Sequence, residues 1–381
     1  MLLIKANKDF VIRGRPYDGF PILLHDSMES CIPANEFFRY YLFRGAIGSR
    51  RSWESTARAL YDYFGFLQAH DLDWRDTKRA ENTNLIAVYR DYSLDTIGLA
   101  RSTVKQRLLY ICEFYNYAHA QKWVERLPFS FETRRVRAPR NGFLAHAQSD
   151  NHETLVRDVS LKVHRDLPKF LSTEQVKQLL GAATNPHHRM IVRLGLQTGL
   201  RREEIATFPV AYVVNPSRFN VASRSIRVHL DPHDGNGMRC KGDKARDIFI
   251  GHSLMTALHH YVVHVRGERG SLSQTKSRHL FLNHRREPFA ADGKRLERIV
   301  RDLGRRVGIR VHPHMLRHTN ATHTLSAMQR AEAGIDPLVY VQRQLGHASI
   351  QTTMVYLHLV NERAERAMLA YDDELNDWMD P

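Results

Sequence analysis

The spacing of apolar residues changes several times along the chain and divides it into regions. Residues 1–30 set Phe10, Val11, Ile12 and the run Phe20–Leu24 among Gly and Pro, which predicts short extended segments of no assigned role. From about 32 to 127 the period becomes helical. Trp53, Ala57, Leu60, Phe64 and Leu67 form one stripe, with Ser52 as the expected N-cap. Leu85, Val88, Tyr89 and Tyr92 predict another helix, and Val104, Leu108, Ile111, Tyr115 and Ala118 a longer one. An early helix over 35–44 completes a bundle.

No apolar period is sustained from about 134 to 168. Arg134, Arg135, Arg137 and Arg140 lie there around Pro139 and Asn141-Gly142, the pattern of a basic inter-domain linker. The helical pattern returns at Leu171. Ser172 with Gln175 makes a capping box, and Leu171 with Val176 a staple. Met190–Gln197 is helical, with Gly199 placed to end it. Ile226, Val228 and Leu230 then alternate, turn dipeptides follow, and Asp247–Ile250 returns, which predicts a small antiparallel sheet. Helices are expected again at about 252–265, 291–306, 314–327 and 337–345, the last capped by Asp336 with Pro337 in its first turn. The chain therefore reads as mainly α with a small antiparallel β-sheet: an extension over 1–30, a helical domain over 31–133, a linker over 134–168 and a mixed domain over 169–381. Its final residues, with Met368, Leu369, Leu375 and Trp378 among acidic neighbours, predict an amphipathic tail helix.

Charge narrows the choice of partner. The 381 residues hold 56 Lys and Arg against 41 Asp and Glu, a formal net charge of +15, which favours a polyanion. Cys31, Cys112 and Cys240 are too few and too scattered for a disulfide framework, which fits a reducing cytoplasm. No apolar run reaches the length of a membrane span or a signal peptide.

The candidate chemistry gathers in His312–Tyr356. It reads His-Pro-His-Met-Leu-Arg-His at 312–318, Leu-Gly-His at 345–347 and Thr-Thr-Met-Val-Tyr at 352–356. His314 and Arg317 are three apart on one helix face, and guanidinium and imidazole groups suit an oxyanion that gains charge. The phenol of Tyr356 suits covalent attack on that centre. A metal reading of His312, His314, His318 and His323 is disfavoured, because that spacing scatters them around a helix.

This arrangement closely resembles the catalytic half of tyrosine recombinases, the phage-integrase family, whose signature is His-x-x-Arg-His, Leu-Gly-His and a Tyr nine residues on. The upstream Arg of that signature is supplied by Thr198-Gly199-Leu200-Arg201-Arg202-Glu203-Glu204. The resemblance covers roughly residues 169–360 well and 31–130 in pattern only. It implies a helical (SAM-like) core-binding domain and an α+β catalytic domain. It further implies strand cleavage and rejoining of DNA through a 3′-phosphotyrosyl ester and a Holliday junction, with no cofactor, metal ion or ATP. By that resemblance Arg201 and Arg317 hold the phosphate and Tyr356 is the nucleophile. His314 accepts its proton, His347 hydrogen-bonds the phosphate, and Lys241 protonates the leaving oxygen. Lys244 is a second choice for that acid, because Cys240 departs from the family's Gly-Lys-Gly-x-Lys turn. Glu204 and His318 are expected to support. Arg101, Lys105, Lys244 and the linker arginines are candidates for DNA contact. The expected partners are duplex DNA with paired sites, further copies in a tetramer, and accessory DNA-bending proteins. A type IB topoisomerase and a non-catalytic DNA-binding regulator are the alternatives on the same scaffold.

Overall fold

The computed structural model describes residues 1–360 apart from 13, 45–50, 80–82, 138–150, 164–166, 219–224, 272–276, 332–334 and 358. Arg140 and the expected tail helix lie outside the described residues. The chain forms two compact units, Met1–Arg165 and Asp166–Pro381.

In the first unit β1 (Leu2–Lys5) pairs antiparallel with β4 (Pro21–Leu24), Leu2 opposite Leu24, and the short β2 (Val11–Ile12) pairs with β3 (Arg15–Pro16). Helices α1 (Ile32–Leu42), α2 (Arg51–Ala69), α3 (Leu85–Asp91) and α4 (Arg101–Ala120) follow. The first thirty residues are part of this core rather than an extension from it. Phe20 and Leu23 are buried with Phe37, Trp53, Leu60 and Phe114. The side chain of Asn35 on α1 closes an edge of β4, accepting from Leu23 N and donating to Leu23 O, both at 2.8 Å. The apolar stripe of α2 is buried as expected, but α2 begins at Arg51, so Ser52 lies inside it instead of capping it. On α3 Val88 faces solvent and Ile86 packs inward in its place.

The stretch expected as a bare linker contains a two-stranded ribbon. β5 (Phe131–Arg137) pairs antiparallel with β6 (Asn151–Arg157), Phe131 opposite Arg157, so Arg134, Arg135 and Arg137 lie on β5. The ribbon belongs to the first unit, where Arg157 forms an ion pair with Glu113 of α4 and covers the Phe129 ring.

The second unit opens with α5 (Thr173–Ala182), capped reciprocally by Ser172 and Gln175, and α6 (Pro186–Thr198), which ends at left-handed Gly199. Then come α7 (Arg202–Ala206), the antiparallel pair β7 (Ser225–Leu230) and β8 (Arg246–Gly251), α8 (His252–His260) and α9 (Gly267–Ser271). Helices α10 (Lys294–Arg306), α11 (Pro313–Arg330) and α12 (Pro337–Leu345) follow, and residues 351–357 are again helical. α6 and α11 pack closely at Gly195, where a Cβ would stand 3.2 Å from both Ile205 Cδ1 and Leu316 Cδ1.

A helix end leaves its last carbonyls without intrahelical partners. At the end of α6 they are taken by side chains from α11 and α12. Asn320 Nδ2 donates to Leu196 O at 2.9 Å, Gln344 Nε2 to Thr198 O at 3.3 Å and Arg317 to Gly199 O at 2.7 Å. Gln344 also bonds both backbone groups of Phe249 on β8, so three elements meet at one side chain.

In the first unit a buried chain of polar groups gives a direct test of packing. Tyr63 and Tyr115 share a 2.7 Å hydroxyl bond, and Tyr115 donates to Trp74 O at 2.9 Å. Tyr115→Phe strips both partners and is expected to cost about 1–3 kcal/mol in urea unfolding, the penalty of buried groups left unpaired. An unchanged midpoint is the contrary result.

Candidate active site

Among the described residues Arg317 is the most deeply buried cation of the second unit. It sits on the second turn of α11, a helix that starts cleanly because Pro313 occupies its first turn and His312 Nδ1 accepts from Met315 N. Its side chain is 2% exposed. The guanidinium donates to Gly199 O at 2.7 Å and to Leu345 O at 2.6 Å, the carbonyls at the C-terminal ends of α6 and α12. Burial, and then the neighbouring charge of Arg201, pull it down to about 9.

Arg201 precedes α7 and approaches the same place. It donates to Gly346 O at 3.1 Å and to Glu204 Oε1 at 3.0 Å. Arg202 turns away to an ion pair with Glu297 on α10, which singles out Arg201 as the arginine facing the site. Glu204 is 1% exposed and does more than support Arg201. It accepts from the backbone N–H of Arg201 at 2.8 Å and takes both arms of Arg246, each at 2.8 Å. Burial alone would raise its carboxyl, but the Arg246 hydrogen bonds and the charges of Arg246 and Arg201 bring it down to about 2.

Tyr356 lies 1% exposed in the core formed by Ala321, Leu325, Val341 and Leu345. Its hydroxyl is 2.8 Å from His318 Nδ1, so the imidazole on the phenol is His318, and not His314 as expected. The two rings are one helical turn apart on α11 and stack at 4.5 Å, which leaves His314 exposed on the outer side of the pair. The second histidine of the His-x-x-Arg-His run is thus aimed at the phenol, a direction that spacing alone could not decide. His347 stacks on the Tyr356 ring at 6.2 Å, and its Nδ1 is 2.9 Å from the hydroxyl of Thr353. With Nδ1 engaged by Thr353, Nε2 is the ring nitrogen left to meet an oxyanion. Burial raises the Tyr356 phenol above its ordinary value, and the charges of Arg317 and Arg201 oppose the rise.

Lys241 and Lys244 differ from this group in exposure. Both are exposed on the connection between β7 and β8, in the turn formed by Lys241–Asp243 with Gly242 at φ 72°. Arg101 and Lys105 are exposed at the start of α4. Sequence reasoning missed Arg246, Thr353 and a basic groove of about 630 Å³ lined by Arg301, Arg305, Arg310 and His312. Arg246 closes the same run that supplied the lysines, but no periodicity marks it. Among the described residues no metal-ligating group of three or more forms. His312 caps α11, His314 stacks on His318, His318 meets Tyr356 and His323 bonds Leu171 O.

A buried phenol between imidazoles, beside two guanidiniums, is an arrangement suited to attack by tyrosine on an oxyanionic centre. The comparisons with known proteins agree. Residues 169–363 match the model of the phage integrase family. Tyrosine recombinase XerC of Roseiflexus castenholzii is 32% identical over 279 residues, 69% of this chain and 70% of the relative. Tyrosine recombinase XerA of Pyrococcus furiosus is 28% identical over 308 residues, 77% of this chain and 96% of the relative. The solved structure of XerH site-specific recombinase bound to palindromic difH substrate has the same fold. Its TM-score is 0.56 at 19% identity, covering 84% of this chain and 80% of that one. The chain belongs to the phage integrase family. It is a site-specific recombinase of the tyrosine type.

The charges of the site also set a pH dependence. His318 is pushed down to about 3 by burial and then by His314 and Arg317, and His347 to about 3 by burial and then by Arg317 and Arg201. Unfolded, both rings titrate near about 6.5. Between about 3 and 6.5 the unfolded chain therefore binds more protons, so folded stability is full above that window and falls as pH drops through it. His347→Asn removes one such group. Its melting temperature is expected to fall less than that of the wild type between about pH 7 and pH 4. Parallel slopes in thermal melts would contradict the assignment.

Proposed function

We propose that Tyr356 cuts one strand of duplex DNA and holds it as a 3′-phosphotyrosyl ester. The phenolic proton passes to His318 Nδ1, the phenolic oxygen bonds to phosphorus, and the bond from phosphorus to the 5′ oxygen breaks. The leaving oxygen takes its proton from Lys241, with Lys244 as the other candidate. Arg201 and Arg317 hold the non-bridging oxygens, each offering a planar fork, and Nε2 of His347 adds a third donor. His314, exposed beside His318, faces the same phosphate. Resealing to the 5′ hydroxyl of another strand conserves the bond energy, so no cofactor, metal ion or ATP enters.

The observation that carries this reading is the buried hydroxyl of Tyr356 on His318, within reach of the charges of Arg317 and Arg201. In this reading four copies act on two duplexes with paired sites and exchange strands through a Holliday junction, in the cytoplasm where the nucleoid lies. Accessory DNA-bending proteins can join them, and the acidic tail packs on a neighbouring copy or on its own domain. The helical first unit with Arg101 and Lys105, the arginines of β5, Arg140 and the basic groove beside α10 supply phosphate contacts. Family membership and the complete set of motif residues favour this over DNA relaxation by a topoisomerase or a non-catalytic regulator.

Tyr356→Phe is expected to bind DNA normally and to form no covalent adduct on a nicked suicide substrate; an adduct in that variant rules out the nucleophile. His318→Ala is expected to slow adduct formation by about 100-fold, the scale of a general base, and more than His314→Ala does at neutral pH. The reverse order returns the base to His314. EDTA leaves cleavage unchanged. Sulfur at the 5′ bridging position leaves without an acid, so it should rescue Lys241→Ala and not Lys244→Ala.

A further inference from the structure

Arg246 closes a ring of contacts that the mechanism above does not use. It is the first residue of β8, and its side chain is 12% exposed. Both of its terminal nitrogens bond Glu204, one to each carboxylate oxygen at 2.8 Å. Glu204 in turn holds both the backbone N–H and the guanidinium of Arg201, and Arg201 donates to Gly346 O. The ring closes where Arg246 lies against Gly346. A Cβ on that residue would stand 2.6 Å from Arg246 Cδ and 2.8 Å from Nε, and Gly346 has φ 66°. The Nε of Arg246 is buried without a hydrogen-bond partner, so the side chain keeps this place at a cost.

Burying one guanidinium to hold another is unfavourable unless a shared anion offsets both. Glu204 is that anion, and its four acceptor positions are divided between Arg201 and Arg246. Without Arg246 the carboxylate is free to turn wholly toward Arg201, which then points at Glu204 instead of at substrate. We propose that Arg246 is a positioning residue for phosphoryl transfer: it fixes Glu204 so that Arg201 faces the scissile phosphate, and by packing on Gly346 it sets the turn that carries His347. The inference rests on Arg201 being a phosphate clamp, as read above.

A misplaced cation and a damaged fold are separated by the charge of the substrate. A methylphosphonate at the scissile position lacks one anionic oxygen and so depends less on the clamp. Single-turnover strand cleavage is measured on phosphodiester and methylphosphonate DNA with wild type, Arg201→Ala, Arg246→Met and Arg246→Lys. On the phosphodiester, Arg246→Met is expected to lose about 100-fold, the scale of one oxyanion donor, with DNA affinity within about threefold of wild type. On the methylphosphonate it recovers to within about tenfold of wild type, in parallel with Arg201→Ala. Arg246→Lys, which keeps the charge and loses the fork, falls between the two. Gly346→Ala, whose Cβ displaces Arg246, shows the same rescue and serves if Arg246→Met does not fold. Equal defects of the Arg246 variants on both substrates, with Arg201→Ala rescued, overturn this inference alone, as does wild-type cleavage by Arg246→Met. Failure to rescue Arg201→Ala overturns the clamp reading and this inference with it.

Discussion

The second unit depends on one unfavourable fact, the burial of the Arg317 guanidinium. Taking such a charge from water costs several kcal/mol unless polar groups surround it. Here the ends of two helices meet it. The carbonyls of Gly199 and Leu345 lie at the C-termini of α6 and α12, where the partial charge of a helix is negative. Both helices must therefore end at the same point, and both do so at a glycine with φ 66°, Gly199 and Gly346. Gly199 has a second reason to lack a side chain, since a Cβ would stand 2.5 Å from Leu345 Cδ2. Asn320 and Gln344 take neighbouring carbonyls of α6 and keep the convergence from slipping.

Charge at the site is left unbalanced by that geometry. Arg201, Arg246 and Arg317 share one buried carboxylate, Glu204, so cations exceed anions before substrate arrives. Burial first, and then the neighbouring cations, lower the rings of His318 and His347 and favour their neutral form. In the proposed mechanism an arriving phosphate supplies the missing negative charge and offsets the mutual repulsion of Arg201 and Arg317. The resting site is thus complementary to a bound anion rather than to water.

The motif residues could be read from spacing because each stands at a fixed offset on a helix or just beyond a helix end. The caps at Ser172 and Asp336 and the stop at Gly199 are local chemistry, and they form as the sequence indicates. What escaped depends on partners far away in the chain. The ribbon of β5 and β6 joins segments across a long connection, so no local period announces it. The first thirty residues carry too short an apolar pattern to show that Phe20 and Leu23 enter the helical core. His314 and His318 share one face of α11, and only the position of Tyr356 decides which of them meets the phenol. Arg246 reads as one more surface cation until Glu204 is seen beside it.

The lysine candidates follow a different design from the rest of the site. The clamps and the phenol are interior groups held by backbone carbonyls and packed rings, whereas Lys241 and Lys244 stand in solvent on the β7–β8 connection. That connection is fastened at both ends. Tyr212 bonds the backbone N–H of Asp231 and the carboxylate of Asp234 near its start, and Arg246 locks onto Glu204 at its finish. Between them Met238 and Cys240 are buried and the N–H of Arg239 donates to Thr207 Oγ1 at 3.0 Å, and the exposed turn beyond Cys240 carries both lysines. In the proposed mechanism the acid is therefore the one group carried by an exposed turn and not by interior packing, while the phenol of Tyr356 is held among imidazoles and guanidiniums.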